Sequence, residues 1–152
     1  MSYTMQGLVG EQHLLATEKI AAGMVSVLRQ GKALLPFTER LRNEQGVPFL
    51  PLTDEGGELP EKIGQICARI SQRGRIAYIE AEFFGGAGIQ AAAVWEKGSL
   101  IQAPFVEQHA INQALRSLGV QVASGKDEFD TLQLGAHRNI EDWVAVPTSS
   151  RR

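Results

Sequence analysis

Glu80 and Glu82 are separated by one residue in the apolar segment Tyr78-Ile-Glu-Ala-Glu-Phe-Phe, and a second apolar run, Ile89 to Trp95, follows Gly85, Gly86 and Gly88. Successive side chains of a strand alternate between its faces, so the two carboxylates share one face. If the runs pair as a hairpin turning on Gly86 and Ala87, then Glu82 faces Ala91, Glu80 faces Ala93 and Tyr78 faces Trp95. Alanines leave space above a sheet, and space beside paired carboxylates suits a cation, an amine or the basic side chain of a partner. The plainer alternative is a solvated face with two ordinary surface carboxylates. Ala77, Ile79, Ala81, Ala92 and Val94 fall on the opposite, core-facing side, under a helix carrying Ile63, Ile66 and Ile70.

A second polar set lies near the C-terminal end, where Asp127, Glu128 and Asp130 precede His137 and Arg138. Acid–base chemistry would need a histidine beside a carboxylate, and these residues could supply one. Short acidic side chains also cap backbone amides in turns, which is the structural alternative. Glu80 and Glu82 with His109 or His137 would make a small acid–base or metal-dependent hydrolase, the second functional reading of the chain. The chain has no His-x-x-x-His or Cys-x-x-Cys spacing, so no structural zinc site and no cofactor is expected. It also lacks the Gly-x-Ser-x-Gly elbow of a serine nucleophile.

The glycines after Phe84 lead into Ile-Gln-Ala-Ala-Ala-Val-Trp, a strand rather than the helix that a phosphate-cradling loop requires, so they read as turn chemistry. Cys67, at helical spacing among Ile63, Ile66 and Ile70, reads as a buried thiol.

Composition narrows the partners. The chain has 152 residues, 43% hydrophobic and 21% charged, with a formal charge of -2. That size and balance predict one domain over residues 1–147 and a loose tail at 148–152. A slightly acidic chain gathers no phosphate backbone, so nucleic acid is not an expected partner. The chain begins without a basic and apolar leader and contains no apolar run long enough to span a bilayer, so a cytoplasmic location and no membrane contact are expected.

The expected fold is α+β, a central antiparallel sheet built on the hairpin with helices packed on one face. Periodicity predicts a helix from about Glu11 to Gln30, stopped at Gly31, and an extended Ala33–Phe37 before a short helix capped by Thr38. The proline-rich stretch from Gly46 to Pro60 reads as a loop pinned by Phe49, Leu50 and Leu52. The helix of Ile63, Ile66, Cys67 and Ile70 has the clearest pattern. A third strand over Ser99–Phe105 ended by Pro104, a helix over Val106–Leu118, a short strand over Val120–Val122 and a last helix capped by Asn139 and stopped at Pro147 follow. An unpaired hairpin edge could join a second copy, making a homo-oligomer.

Three blocks carry a resemblance: Ala77-Tyr-Ile-Glu-Ala-Glu-Phe-Phe-Gly-Gly-Ala-Gly-Ile-Gln-Ala-Ala-Ala-Val-Trp95, Ile111-Asn-Gln-Ala-Leu-Arg-Ser-Leu-Gly-Val120 and Asp127-Glu-Phe-Asp-Thr-Leu-Gln-Leu-Gly-Ala-His-Arg-Asn-Ile-Glu-Asp-Trp143. In these, over roughly the C-terminal half, the chain resembles a family of small uncharacterised bacterial proteins; the likeness implies kinship and carries no mechanism. In size and charge the chain also resembles the immunity proteins of toxin systems, which act by binding. The leading expectation is therefore a binding protein that meets a basic protein partner through Tyr78, Glu80, Glu82 and Trp95 on an open sheet face, together with Asp127, Asp130, His137 and Arg138.

Overall fold

A computed structural model describes residues 2–21, 23–54, 57–84 and 87–144. The expected stop at Pro147 and tail at 148–152 lie outside them. The chain is α+β, with a six-stranded antiparallel sheet in the order β2-β3-β1-β4-β5-β6. The strands are β1 (Ser2–Glu11), β2 (Ser26–Val27), β3 (Lys32–Pro36), β4 (Ile76–Phe84), β5 (Ala87–Glu96) and β6 (Ser99–Glu107). The helices are α1 (Gln12–Ala16), α2 (Glu39–Gln45), α3 (Glu61–Ile70), α4 (Ala110–Ser117) and α5 (Glu128–Thr131).

The hairpin lies inside the sheet, because β4 pairs with β1 and β5 pairs with β6. It therefore has no free edge to offer a second copy. Its register is Phe84↔Ala87, Glu82↔Ile89, Glu80↔Ala91, Tyr78↔Ala93 and Ile76↔Trp95. This differs by two residues from the expected pairing. A slip of two preserves which side chains share a face, whereas a slip of one would have reversed them all.

Helices cover both faces of the sheet, not one. Strands β3 and β4 each run antiparallel to β1, so they are parallel to one another, and their connection crosses β1 carrying α2 and α3. On that side α1, α2 and α3 bury Leu14, Leu15, Leu41, Ile63, Cys67 and Ile70 against Leu8, Leu35, Ile76, Tyr78 and Trp95. On the other side α4 and the C-terminal turns bury Ile111, Ala114, Leu115, Leu132 and Trp143 against Val9, Leu34, Ala77, Ile79, Ala92 and Val94. The residues expected to face the core do so, but beneath α4, while the helix of Ile63, Ile66 and Ile70 covers the face that carries Tyr78 and Glu80. The consecutive alanines 91–93 alternate sides and let both layers approach.

Local signals fared unevenly. Thr38 caps α2, its Oγ1 accepting from the Leu41 amide at 3.1 Å. The helix expected over 11–30 is only α1 and a 3-10 turn, Lys19–Ala21, ahead of a left-handed Gly23 at φ 80°. Residues 2–11, for which the sequence predicted no element ahead of that helix, form one of the sheet's central strands. Strand β6 runs through Pro104 to Glu107, α4 starts only at Ala110, and 120–122 pair with no strand among the described residues. Asn139 precedes a 3-10 turn, Ile140–Trp143, without a side-chain cap bond.

The close pairing of β1 with β3 leaves no room at Gly7. A Cβ there would stand 2.6 Å from the Leu35 carbonyl oxygen and 3.2 Å from the Pro36 Cα, both backbone atoms. Gly7→Ala is expected to destabilise the fold by about 1–3 kcal/mol, the usual cost of overpacking, seen as a lower urea midpoint with an unchanged slope.

Candidate functional site

Glu80 is fully buried, as are its neighbours Gln6 and Tyr78. The register Gln6↔Glu80 and Leu8↔Tyr78 places all three side chains on the α3 face. Above them runs the loop 47–54, whose Pro48 and Pro51 donate no backbone hydrogen bond. The amides of Leu50, Leu52 and Thr53 are met by side chains of the sheet. Glu80 Oε1 accepts from Thr53 N at 2.8 Å, Thr53 Oγ1 at 3.1 Å and Leu52 N at 3.1 Å. Glu80 Oε2 accepts from Leu52 N at 3.2 Å and from the Tyr78 hydroxyl. Gln6 Nε2 donates to Tyr78 Oη at 2.9 Å and to Pro48 O at 3.0 Å, and Gln6 Oε1 accepts from Leu50 N at 3.4 Å.

Tyr78, Glu80 and Trp95 therefore do not form an open acidic face. The space that alanines leave beside the carboxylates exists, and the chain fills it with its own loop and with α3. Of Glu80 and Glu82 only Glu82 is partly exposed, at the sheet margin opposite Ile89. Its pKa is raised by partial burial and, secondarily, by the carboxylate of Asp54. No histidine is among the hydrogen-bond partners of Glu80, and among the described residues no three His, Cys, Asp or Glu side chains gather as metal ligands. Burial pushes the Cys67 thiol up, away from the reactive thiolate.

The other predicted residues disperse. Asp127 caps α5, its Oδ1 accepting from Asp130 N at 2.8 Å while Oδ2 accepts from Asn112 Nδ2 at 3.0 Å. The Asp130 side chain is exposed. His137 packs edge-on against Trp143 with ring centroids 4.7 Å apart, and Arg138 is exposed, its carbonyl accepting from Thr4 N at 2.8 Å. Glu128 is buried and bound by Arg116 Nε at 2.9 Å.

A surface that the sequence did not disclose lies beside the Glu80 network. Trp95↔Leu100 and Ala91↔Val106 put Leu100 and Val106 on the α3 face, at the outer strand of the sheet. Both are exposed there, and with Leu52, Leu59, Pro104 and Glu58 they line a groove of about 480 Å³. Leu52 is the residue whose amide Glu80 holds, so the buried carboxylate sets one wall of the groove. The available signal was the apolar content of Leu100, Ile101, Ala103, Pro104, Phe105 and Val106, too rich for an edge strand wetted on one face. Compared with known proteins, the chain matches no family model, no curated protein and no solved structure.

Burial raises the Glu80 pKa above its ordinary 4.5, with hydrogen bonds from Tyr78, Thr53 and Leu52 pulling the other way. The folded carboxyl thus holds its proton to a higher pH than the unfolded one. Its contribution to stability is greatest below 4.5 and falls as pH rises through the raised folded value. Glu80→Gln removes this titration, so the stability of wild type relative to that variant should decline from mildly acidic to neutral pH in urea unfolding. Glu80→Ala leaves the Leu52 and Thr53 donors and the Tyr78 hydroxyl without their acceptor and is expected to cost about 2–4 kcal/mol, with faster amide exchange confined to residues 50–54.

Proposed function

We propose that the protein acts by binding, and that it takes an extended segment of a basic protein partner along the groove between β6 and the loop of Leu52 and Leu59. The observation that carries this reading is the apolar outer strand: Leu100 and Val106 stand exposed against Leu52, Leu59 and Pro104, with Glu58 in the same lining. Exposed apolar surface of this kind, rimmed by polar groups, marks sites of contact.

The charge of the margin selects the partner. Asp54 and Glu82 are near enough for one carboxylate to raise the pKa of the other, and a cation brought between them would relieve that repulsion. A segment whose apolar side chains fill the groove while a Lys or Arg reaches Glu58, Asp54 or Glu82 matches both features. This mode of action accords with the likeness to immunity proteins and with a cytoplasmic site of action; among the described residues no helix is long and apolar enough to cross a membrane.

The test uses synthetic peptides that alternate valine with lysine, and the same peptides with glutamate in place of lysine, titrated against the labelled protein by fluorescence anisotropy. Binding is expected for the basic series only, weakening steeply with added salt. Leu100→Asp combined with Val106→Asp should abolish it, and Glu58→Lys should weaken it roughly tenfold, the effect of one charge-assisted contact. Equal binding of the acidic series, or full binding by the Leu100 and Val106 double variant, would exclude this groove. A dimer seen by light scattering that the double variant dissolves would replace the partner with a second copy of the chain.

A further inference from the structure

Away from the groove, at the end of the sheet where β6 turns into α4, a second cleft of about 340 Å³ opens among Phe83, Gln90, Gln108, His109, Asp127 and Phe129. Gln90 is only 7% exposed. Its Oε1 accepts from Ile111 N at 2.9 Å in the first turn of α4. Its Nε2 has no hydrogen-bond partner among the described residues and is not one of the atoms sealed from solvent, so this donor opens into the cleft that the residue lines. A nearly buried amide with one half fixed and the other half unmet is an arrangement that a ligand acceptor completes.

The opposite requirement sits at Asp127. Each of its carboxylate oxygens accepts one protein donor, Asp130 N or Asn112 Nδ2, and each retains lone-pair capacity for another. The apolar walls are aromatic and braced. Tyr3 stands 5.7 Å from the ring of Phe83 and 5.7 Å from that of Phe129, and its hydroxyl is tied to the Leu134 carbonyl at 2.7 Å. The Phe83 ring lies over Gly88, where a Cβ would come within 1.6 Å of it. Among the described residues no Lys or Arg lines the cleft, and the carboxylate of Asp127 would repel a phosphate or carboxylate there.

We infer that this cleft binds a neutral, flat nitrogen heterocycle of nucleobase size, as the free base or nucleoside, which accepts from Gln90 Nε2, donates to the Asp127 carboxylate and packs on Phe83 or Phe129. The donor and acceptor that such a ring carries on one edge match the unmet groups, and its faces match the phenyl walls. The Asp127 charge, with no Lys or Arg in the lining to offset it, disfavours the phosphorylated form.

The experiment titrates adenosine, cytidine, guanosine and uridine, and their monophosphates, into the full chain, following chemical shifts and the melting temperature. At least one nucleoside is expected to bind saturably and to raise the melting temperature, more tightly than its monophosphate. Gln90→Glu keeps the oxygen that caps Ile111 and removes the donor, and should weaken binding about tenfold or more. Phe129→Leu keeps an apolar wall without the ring, and should weaken it by roughly fivefold to a hundredfold. Circular dichroism establishes that each variant is folded, and Phe129→Leu carries the test alone if Gln90→Glu is not. Leu100→Asp, in the separate groove, should bind as wild type. Saturable binding by no nucleoside, preference for the monophosphate, or wild-type affinity in the folded variants would overturn the assignment.

Discussion

The Glu80 carboxylate receives the Tyr78 hydroxyl, the Thr53 hydroxyl and the amides of Leu52 and Thr53, all inside the protein. The loop it holds satisfies itself only in part, through Asp54 N donating to Leu50 O at 3.0 Å. Two of its residues between 47 and 54 are prolines, and Leu50 is turned to φ 44°, so no ladder or helix is available to its polar groups. Burying a loop of this kind requires partners supplied from elsewhere, and Gln6 and Glu80 supply them from neighbouring strands, with the Tyr78 hydroxyl joining the two. The hydrophobic layer of α2 and α3 lies on the same face as this satisfied polar patch. Leu52 seats in that layer, and with it one wall of the exposed groove.

The same network explains why two glutamates one residue apart have such different fates. Both point to the α3 face, yet Glu80 lies under the loop and Glu82 lies past its end, beside Asp54. Burial of the first is tolerated because each lone pair has a donor. The second remains partly in water, where a partner can reach it. One periodic pattern thus yields a positioning residue and a surface residue, and the distinction is made by a segment far from either in the chain.

How much was legible from the chain follows the range of the interactions. The capping of α2 by Thr38 and the stripe of Ile63, Ile66, Cys67 and Ile70 are local, and both were readable from spacing. The two faces of the hairpin were readable too, because alternation survives a register error of two. What covers each face was not, since the contacts of Glu80 to Leu52 span 28 residues and those of Tyr78 to Gln6 span 72. Strand β1 escaped notice for a related reason: with both faces buried it shows a largely unbroken interior rather than alternation. Asp127 looked like a candidate site residue or a cap, and it caps α5; it also lines a cleft with Gln90, a residue whose neutral side chain drew no attention in a strand of alanines.

The edges of the sheet determine which kind of contact it can make. At one end β2 has only two residues, Ser26–Val27, too few to template another strand. At the other, β5 advances six residues from Gln90↔Glu107 to Glu96↔Ser99 while β6 advances eight, so β6 carries two extra residues in bulges. Pro104, which has no amide to donate, lies in the gap between Ala92↔Phe105 and Val94↔Gln102. A bulged strand interrupted by proline offers a poor ladder to an incoming chain. Its side chains are a different matter: Leu100 and Val106 remain on one face and in line with the wall set by Leu52. The geometry that blunts β6 as an edge leaves its apolar face as the surface available for recognition, and a partner that uses it must do so by filling the groove with side chains rather than by extending the sheet.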